Sequence, residues 1–191
     1  LDIAETVASR ATCLRKKYGT VIVKDDEIIS TGYCGAPRGR KNCCDLGYCT
    51  KKQLLPNQRH GGYDACRSVH SEQNAIISAS RQEMIGSTLY LVGYRTENHD
   101  YEEGAAPCLM CRKLIINSGI EEVIVRKNKE EYIKFSVQDW IKNGLENEKL
   151  FNKIEKLIQA NKENENNRLL VAMVCIYLDY SLPIKNPKKE G

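Results

Sequence analysis

Large aromatic side chains are scarce in this 191-residue sequence, which holds two Phe and one Trp. A protein that threads an extended nucleic-acid strand needs a basic channel floored by aromatic rings. Such a partner is disfavoured here, although ten Tyr supply some ring surface. Nor is there an excess of one charge. Its 29 Lys and Arg against 25 Asp and Glu leave a net charge of +4, too little for tracking a polyphosphate and better suited to a small anionic ligand. A long apolar run is also missing. The longest, residues 169–178, falls well short of the roughly 18 residues that span a bilayer as a helix, so no membrane partner is expected. The chain begins at Leu1 and not Met, which leaves room for a start segment before it.

What is present is ordinary for one sizeable core: 41% of residues are hydrophobic and 28% charged. The nine cysteines are too many to ignore. A chain long enough to build a core has little need of disulfide staples, and these cysteines cluster at metal-ligand spacings. They read as thiols and metal ligands in a reducing cytoplasm.

Two segments carry the chemistry. His70-Ser71-Glu72 and Pro107-Cys108-Leu109-Met110-Cys111 together offer one imidazole, two thiolates and a carboxylate. Structural zinc is normally closed by four protein ligands, whereas His70, Cys108 and Cys111 leave a fourth position for water, which the metal acidifies to a pKa of about 7. Glu72 is then free to move that water's proton. Pro107 fits the first position of a helix, so Cys108 and Cys111 would share one face of its opening turn, with Leu114, Ile115 and Ile116 on the buried side and Gly119 at the end. His-x-Glu with Pro-Cys-x-x-Cys is the signature of zinc nucleobase deaminases. The plain alternative is a redox or zinc-ribbon Cys-x-x-Cys beside an unrelated histidine.

Periodicity organises the remainder. Residues 2 to about 17 read as an amphipathic helix, with Ile3, Val7, Ala8 and Ala11 on one side. Residues 20–24 and 27–31 are β-rich runs joined by Asp25-Asp26, a hairpin signal without its usual glycine. Residues 32–66 form a long loop with five cysteines, and a loop of that length in a compact domain is functional or metal-bound. A helix from 69 to about 80, a strand at 88–92, the helix after Pro107 and a strand at 122–126 follow. Alternating strand and helix indicate an α/β sheet. Beyond it, 137–142 and 149–159 read as helices, 161–167 as a polar linker, 169–180 as a strand, buried helix or subunit contact, and 185–191 as a basic tail. The expected organisation is one domain over residues 1–144 and a helical and apolar extension over 145–191.

With both motifs placed, the chain resembles the deoxycytidylate deaminase family within the zinc cytidine/deoxycytidylate deaminase superfamily, in particular its bacterial late-competence ComE-type branch. The resemblance covers most of the first 126 residues. It is carried by Ala11-Thr12-Cys13-Leu14-Arg15, Gly19-Thr20-Val21-Ile22-Val23, Ile28-Ile29-Ser30-Thr31-Gly32-Tyr33, Gly35-Ala36-Pro37-Arg38-Gly39, His70-Ser71-Glu72-Gln73-Asn74-Ala75-Ile76 and Leu114-Ile115-Ile116-Asn117-Ser118-Gly119-Ile120. It implies a three-layer α/β/α cytidine-deaminase-like fold with a mixed sheet of about five strands, a homo-oligomer, and hydrolysis of dCMP to dUMP and ammonia. His70, Cys108 and Cys111 would hold the catalytic zinc, and Glu72 would shuttle protons from water to N3 and to the leaving ammonia.

The resemblance also assigns supporting residues. Related enzymes carry an additional zinc, with Cys at the positions of Cys13 and Cys43 and other ligand types elsewhere. Together with Cys49 and Cys66 these suggest a second, structural ion, with His60 or Cys44 as alternates, and a set of buried or free thiols is the plain alternative. Substrate contacts would come from Cys34, Gly35, Pro37, Arg38, Arg40 and the neighbouring Lys41, with Asn74 and Arg81 behind them. Cys34 stands where the family has a substrate-binding Asn, and a thiol hydrogen-bonds weakly, so that contact should be altered. The loop 94–106, with Glu97, Asp100, Glu102 and Glu103, should border the pocket with its acids turned to water. Two other readings compete with a deaminase of a free pyrimidine nucleotide. One is a base deaminase of tRNA or single-stranded DNA. The other is a non-catalytic, zinc-stabilised interaction protein linked to DNA uptake, against which Glu72 argues, since a structural metal needs no such carboxylate.

Overall fold

The computed structural model describes residues 1–56, 62–102 and 104–143. These belong to a compact unit formed by Leu1–Asn143. The expected features at 149–159, 161–167, 169–180 and 185–191, and the alternate ligand His60, lie outside the described residues.

Five strands form one mixed sheet in the order β2-β1-β3-β4-β5. They are β1 (Lys16–Lys24), β2 (Glu27–Tyr33), β3 (Thr88–Arg95), β4 (Glu122–Arg126) and β5 (Tyr132–Ser136). β3 and β4 run parallel and the other neighbours antiparallel. The β1–β2 hairpin turns at Asp25 and Asp26 with φ of 49° and 63°, the left-handed pair of a type I′ turn, which short acidic side chains tolerate without glycine.

Helices cover both faces, and side-chain alternation along β1 shows how. A Cβ on Gly19 would lie 2.2 Å from the Ala4 carbonyl oxygen, so Gly19 faces α1 (Asp2–Ser9) at backbone contact. The next residue, Thr20, points the other way and donates to Ser71 Oγ on α4 (Ser71–Ile76). Gly32, opposite Thr20, meets the same helix, since its Cβ would lie 2.2 Å from the Ser71 carbonyl oxygen. Val21, Val92 and Tyr94 pack against Ala4 and Ala8 on the α1 face. Ile22, Leu89 and Leu91 fill the opposite face, beneath the layer of α4 and α6 (Leu109–Ser118). Three layers result, as the resemblance implies.

Several boundaries differ from the sequence reading, each for a tertiary reason. The first helix stops at Ser9 and not near residue 17, because Lys16, Lys17 and Tyr18 pair with Arg95, Tyr94 and Gly93 of β3. Sheet pairing there overrides helical periodicity. The helix expected from 69 to about 80 is divided: α4 closes after Ile76, and a Ser80–Glu83 capping box opens α5 (Arg81–Met84). Pro107 lies two positions further out than expected, since Cys108 is itself the N-cap of α6 and Leu109 its first residue. Of its expected apolar side only Ile115 is fully buried, alongside Cys111. Gly119 ends α6 at φ 84°. The loop 32–66 contains two short helices, α2 (Cys43–Leu46) and α3 (Thr50–Leu54), and a 3₁₀ turn at Tyr63–Ala65 follows. β5, which was not expected, precedes α7 (Val137–Asn143). No helix among the described residues is long and apolar enough to cross a membrane.

Candidate active site and metal centre

The parallel pair β3–β4 brings α4 and α6 side by side, and the N-terminal ends of both helices carry the candidate ligands. His70 is the N-cap of α4, with its backbone N–H donating to Gln73 Oε1 at 3.0 Å. Cys108 caps α6 and Cys111 lies one turn further on. His70 Nδ1 is 3.5 Å from Cys108 Sγ and 3.4 Å from Cys111 Sγ. All three donor atoms lie within 4.8 Å of one another. A tetrahedral zinc with bonds of about 2.3 Å to sulfur and 2.0–2.1 Å to nitrogen places such atoms about 3.6 Å apart, so the donor set fits the ion in both chemistry and spacing.

The two sulfurs and the imidazole shift one another's titration. The Cys108 thiol is drawn down to about 4 by a hydrogen bond from Cys111 and by His70, against the cost of burial. Cys111 is pushed up by its bond to Cys108 and by burial. Burial also opposes charge on His70, yet Cys108 and Glu72 raise it on balance. A metal bound by these atoms would displace the protons of the thiols.

Glu72 stands outside the ligand set and is buried. Burial pushes its carboxyl upward, offset in part by His70 and by hydrogen bonds from its own backbone and Ser71. Ser71 Oγ donates to Glu72 Oε2 at 3.0 Å, and Thr20 Oγ1 donates to Ser71 Oγ at 2.9 Å. Thr20 and Ser71 are fully enclosed. The carboxylate is therefore held from behind by a buried hydroxyl chain anchored on the central sheet, an orientation device that preorganises a proton carrier. Sequence reading missed this chain, although Ser71 sits inside the motif and Thr20 falls on the matching face of β1.

A cavity of about 360 Å³ opens onto the centre, lined by His70, Glu72 and Cys108 and by Arg15, Lys16 and Lys51 among others. Tyr63 stands at its wall, edge-on to the His70 ring at 4.8 Å between centroids. Its phenol is pushed up to about 12 by burial and by the charge and hydrogen bond of Cys108. Neither Tyr63 nor Lys51 carried a local sequence signal, because the long loop brings both there.

The expected substrate residues are dispersed. Cys34 lines the cavity but is committed to the β1 backbone, accepting from Tyr18 N at 3.4 Å and donating to Lys16 O at 3.5 Å. Burial raises its thiol to about 12. Gly35 forms an isolated bridge with Val69. Pro37, Arg38, Arg40 and Lys41 are exposed on a turn and do not line the cavity. Asn74 Nδ2 donates to Tyr33 O at 2.8 Å, tying α4 to the end of β2, and Arg81 Nε donates to Asn117 O, tying α5 to α6. The 94–106 loop does border the cavity through Glu102, Gly104, Ala105 and Ala106, while Glu97 and Asp100 face solvent.

The second cysteine set gathers without closing. Cys13, Cys49 and Cys66 line the cavity, and the Cys43 thiol is pushed up by burial and then by Cys13, Cys49 and Cys66. Among the described residues, however, no three of these sulfurs come within 4.8 Å of one another. The tetrahedron expected from the sequence is not assembled, because the sulfurs sit on separate supports. Cys13 Sγ accepts from Arg15 N, Cys49 caps α3, Cys43 lies in the first turn of α2, and exposed Cys44 donates to Asp45.

One imidazole, two sulfurs and a sheltered, non-ligating carboxylate define the zinc-dependent nucleobase deaminase class of hydrolase. Residues 1–127 match the cytidine and deoxycytidylate deaminase zinc-binding region, and the chain belongs to that family. It is 36% identical to the deoxycytidylate deaminase of Mycobacterium phage D29 over 131 residues, 66% of this chain and 91% of that protein. Identity to the deoxycytidylate deaminase of Schizosaccharomyces pombe is 31% over 126 residues, 65% of this chain but 34% of the yeast protein. ComE operon protein 2 of Bacillus subtilis is 32% identical over 61% of this chain and 51% of its own length. Among solved structures, the dCMP deaminase of cyanophage S-TIM5 in complex with dCMP and dUMP is similar at 24% identity and a TM-score of 0.46, over 74% of this chain and 83% of that one.

Proposed function

We propose that this protein hydrolyses dCMP to dUMP and ammonia. The observation that carries the reading is the convergence of His70, Cys108 and Cys111 beside buried Glu72, in a family whose relatives are named deoxycytidylate deaminases. His70, Cys108 and Cys111 would hold zinc, which would supply a Lewis acid able to bring the pKa of water to about 7. Glu72 accepts one proton from water and delivers it to N3 as the oxygen adds to C4, then takes the second proton from the C4 hydroxyl and passes it to the C4 amine, which leaves as ammonia. Ser71 keeps the carboxylate aimed into the cavity during both transfers. Water adds to C4 and ammonia leaves from it, so the reaction needs no further reactant.

The partner is a small nucleotide and not a polynucleotide, consistent with the modest net charge. Kinship to the late-competence ComE-type branch, a homo-oligomeric state and a reducing cytoplasmic setting complete the reading. The test is ammonia release from dCMP, cytidine, dCTP and a short oligonucleotide, with Glu72→Gln as control. The variant is expected to keep its zinc by elemental analysis and to lose turnover by at least about 10³-fold. Activity surviving in Glu72→Gln, or turnover of the oligonucleotide alone, would refute this function.

A further inference from the structure

We propose that Arg15 is the residue that recognises the 5′-phosphate, in place of the exposed arginines after Pro37. This rests on the nucleotide-deaminase reading and assigns the anionic end of its substrate. Three cations line the cavity: Arg15, Lys16 and Lys51. Lys16 is already committed, with its Nζ 2.6 Å from Glu102 Oε1. Lys51 is buried beneath the Tyr63 ring, 5.6 Å from its centroid. Arg15 is half-buried, and no hydrogen bond or ion pair engages its guanidinium among the described residues. Its backbone, by contrast, is pinned on both sides. Arg15 N donates to Cys13 Sγ at 3.5 Å and Arg15 O accepts from Thr96 N at 3.1 Å.

A fixed main chain presenting an uncommitted, partly desolvated guanidinium to a cavity is a preorganised anion site. The planar fork of Arg suits two phosphate oxygens at once, and the loss of surrounding water strengthens the pairing. Glu102, the other charged side chain at this end of the lining, is paired with Lys16, and Arg95 Nε lies 3.8 Å from its second oxygen. The acidic loop is thereby neutralised where it meets the cavity. Arg38 and Arg40 are exposed and lie outside the lining.

The experiment compares dCMP with deoxycytidine as substrates, and dUMP with deoxyuridine as ligands by calorimetry, in wild type, Arg15→Ala, Arg15→Lys and the double variant Arg38→Ala/Arg40→Ala. Loss of one bidentate charged contact should lower kcat/KM for dCMP and affinity for dUMP in Arg15→Ala by roughly 10- to 100-fold. The nucleosides should change by less than about threefold, Arg15→Lys should recover part of the loss, and the double variant should keep the wild-type preference for phosphate. Unchanged nucleoside affinity and zinc content certify that Arg15→Ala is folded. Equal losses for nucleotide and nucleoside, an unchanged preference in Arg15→Ala, or a preference lost in the double variant would each overturn the assignment. Failure of wild type to release ammonia from any cytosine compound would refute the deaminase reading instead, and the dUMP and deoxyuridine titrations would still decide the role of Arg15.

Discussion

The Glu72 carboxylate depends for its aim on two buried hydroxyls. Glu72 is buried, and a buried carboxylate with one oxygen undirected samples orientations that waste proton transfers. Ser71 removes that freedom at 3.0 Å and Thr20 fixes Ser71 at 2.9 Å. Ser71→Ala should therefore lower kcat by roughly tenfold, the equivalent of one hydrogen bond to a charged group, with KM and zinc content unchanged. Thr20→Val should lose less, since Ser71 can still donate, and Thr20→Ser should restore the wild-type rate. Steady-state kinetics on the three variants decides the matter: a raised KM at constant kcat would place Ser71 in substrate binding and not behind Glu72. The zinc-binding trio was legible in the sequence because ligand chemistry confines residue type and spacing tightly. The hydroxyl pair was not, since Ser and Thr serve many ends and their meeting across 51 positions is set by the sheet. The arginines after Pro37 misled for a related reason. A basic, glycine-bearing loop looks the same whether it folds onto a cavity or, as here, lies in solvent.

At the scale of elements, two glycines on neighbouring strands determine how closely each helical layer approaches the sheet. Gly19 admits α1, and Gly32 admits α4. Alanine at either position would push against backbone, which cannot swing away as a side chain can, and should cost on the order of 3 kcal/mol. Their consequences should differ. Gly19→Ala displaces a helix that carries no site residue and should lower thermal stability while leaving zinc affinity and kcat close to wild type. Gly32→Ala displaces the helix that bears His70 at its cap and Glu72 in its first turn, so activity and zinc affinity should fall by more than tenfold at temperatures where the protein is still folded. Circular dichroism melts beside zinc titration and ammonia release separate the two; equal effects would mean that the α1 layer is coupled to the site. The central strands and both motif helices were legible because burial on one or two faces writes a clear apolar pattern. β5 was not, for Tyr132, Ile133 and Lys134 are all exposed on an edge strand and leave no alternation to read. The overlong first helix has a different origin, since residues 16–18 take their conformation from β3 and not from their own propensities.

For the whole molecule, the far end of the family region is fastened to its beginning by one side chain. Arg126, buried at the end of β4, reaches Asp2 Oδ1 at 2.5 Å and Glu5 Oε2 at 2.7 Å, both on α1, and Tyr101 also donates to Glu5 at 2.8 Å. The contact closes the α1 layer over the sheet across more than 120 positions of sequence. Arg126→Met keeps the apolar stem but removes the charged partner of the half-buried Glu5 carboxylate, which retains only the bond from Tyr101, a loss of about 2 kcal/mol. In a unit of this size that corresponds to a fall in Tm on the order of 5 °C. The pH dependence has a definite sign. The Arg126 guanidinium, through its hydrogen bond and its charge, holds the Asp2 carboxyl below the usual carboxylate value. A depressed folded-state pKa contributes stability above the unfolded value near 3.8 and loses it as pH falls through the folded one. Denaturant melts of wild type and Arg126→Met should thus stay separated at neutral pH and converge only below about pH 4. Added salt should narrow the gap partially, because Asp2 is open to solvent while Arg126 is not. Curves that coincide at pH 7, or that diverge on acidification, would show that burial alone and not the charge cluster closes this end of the fold.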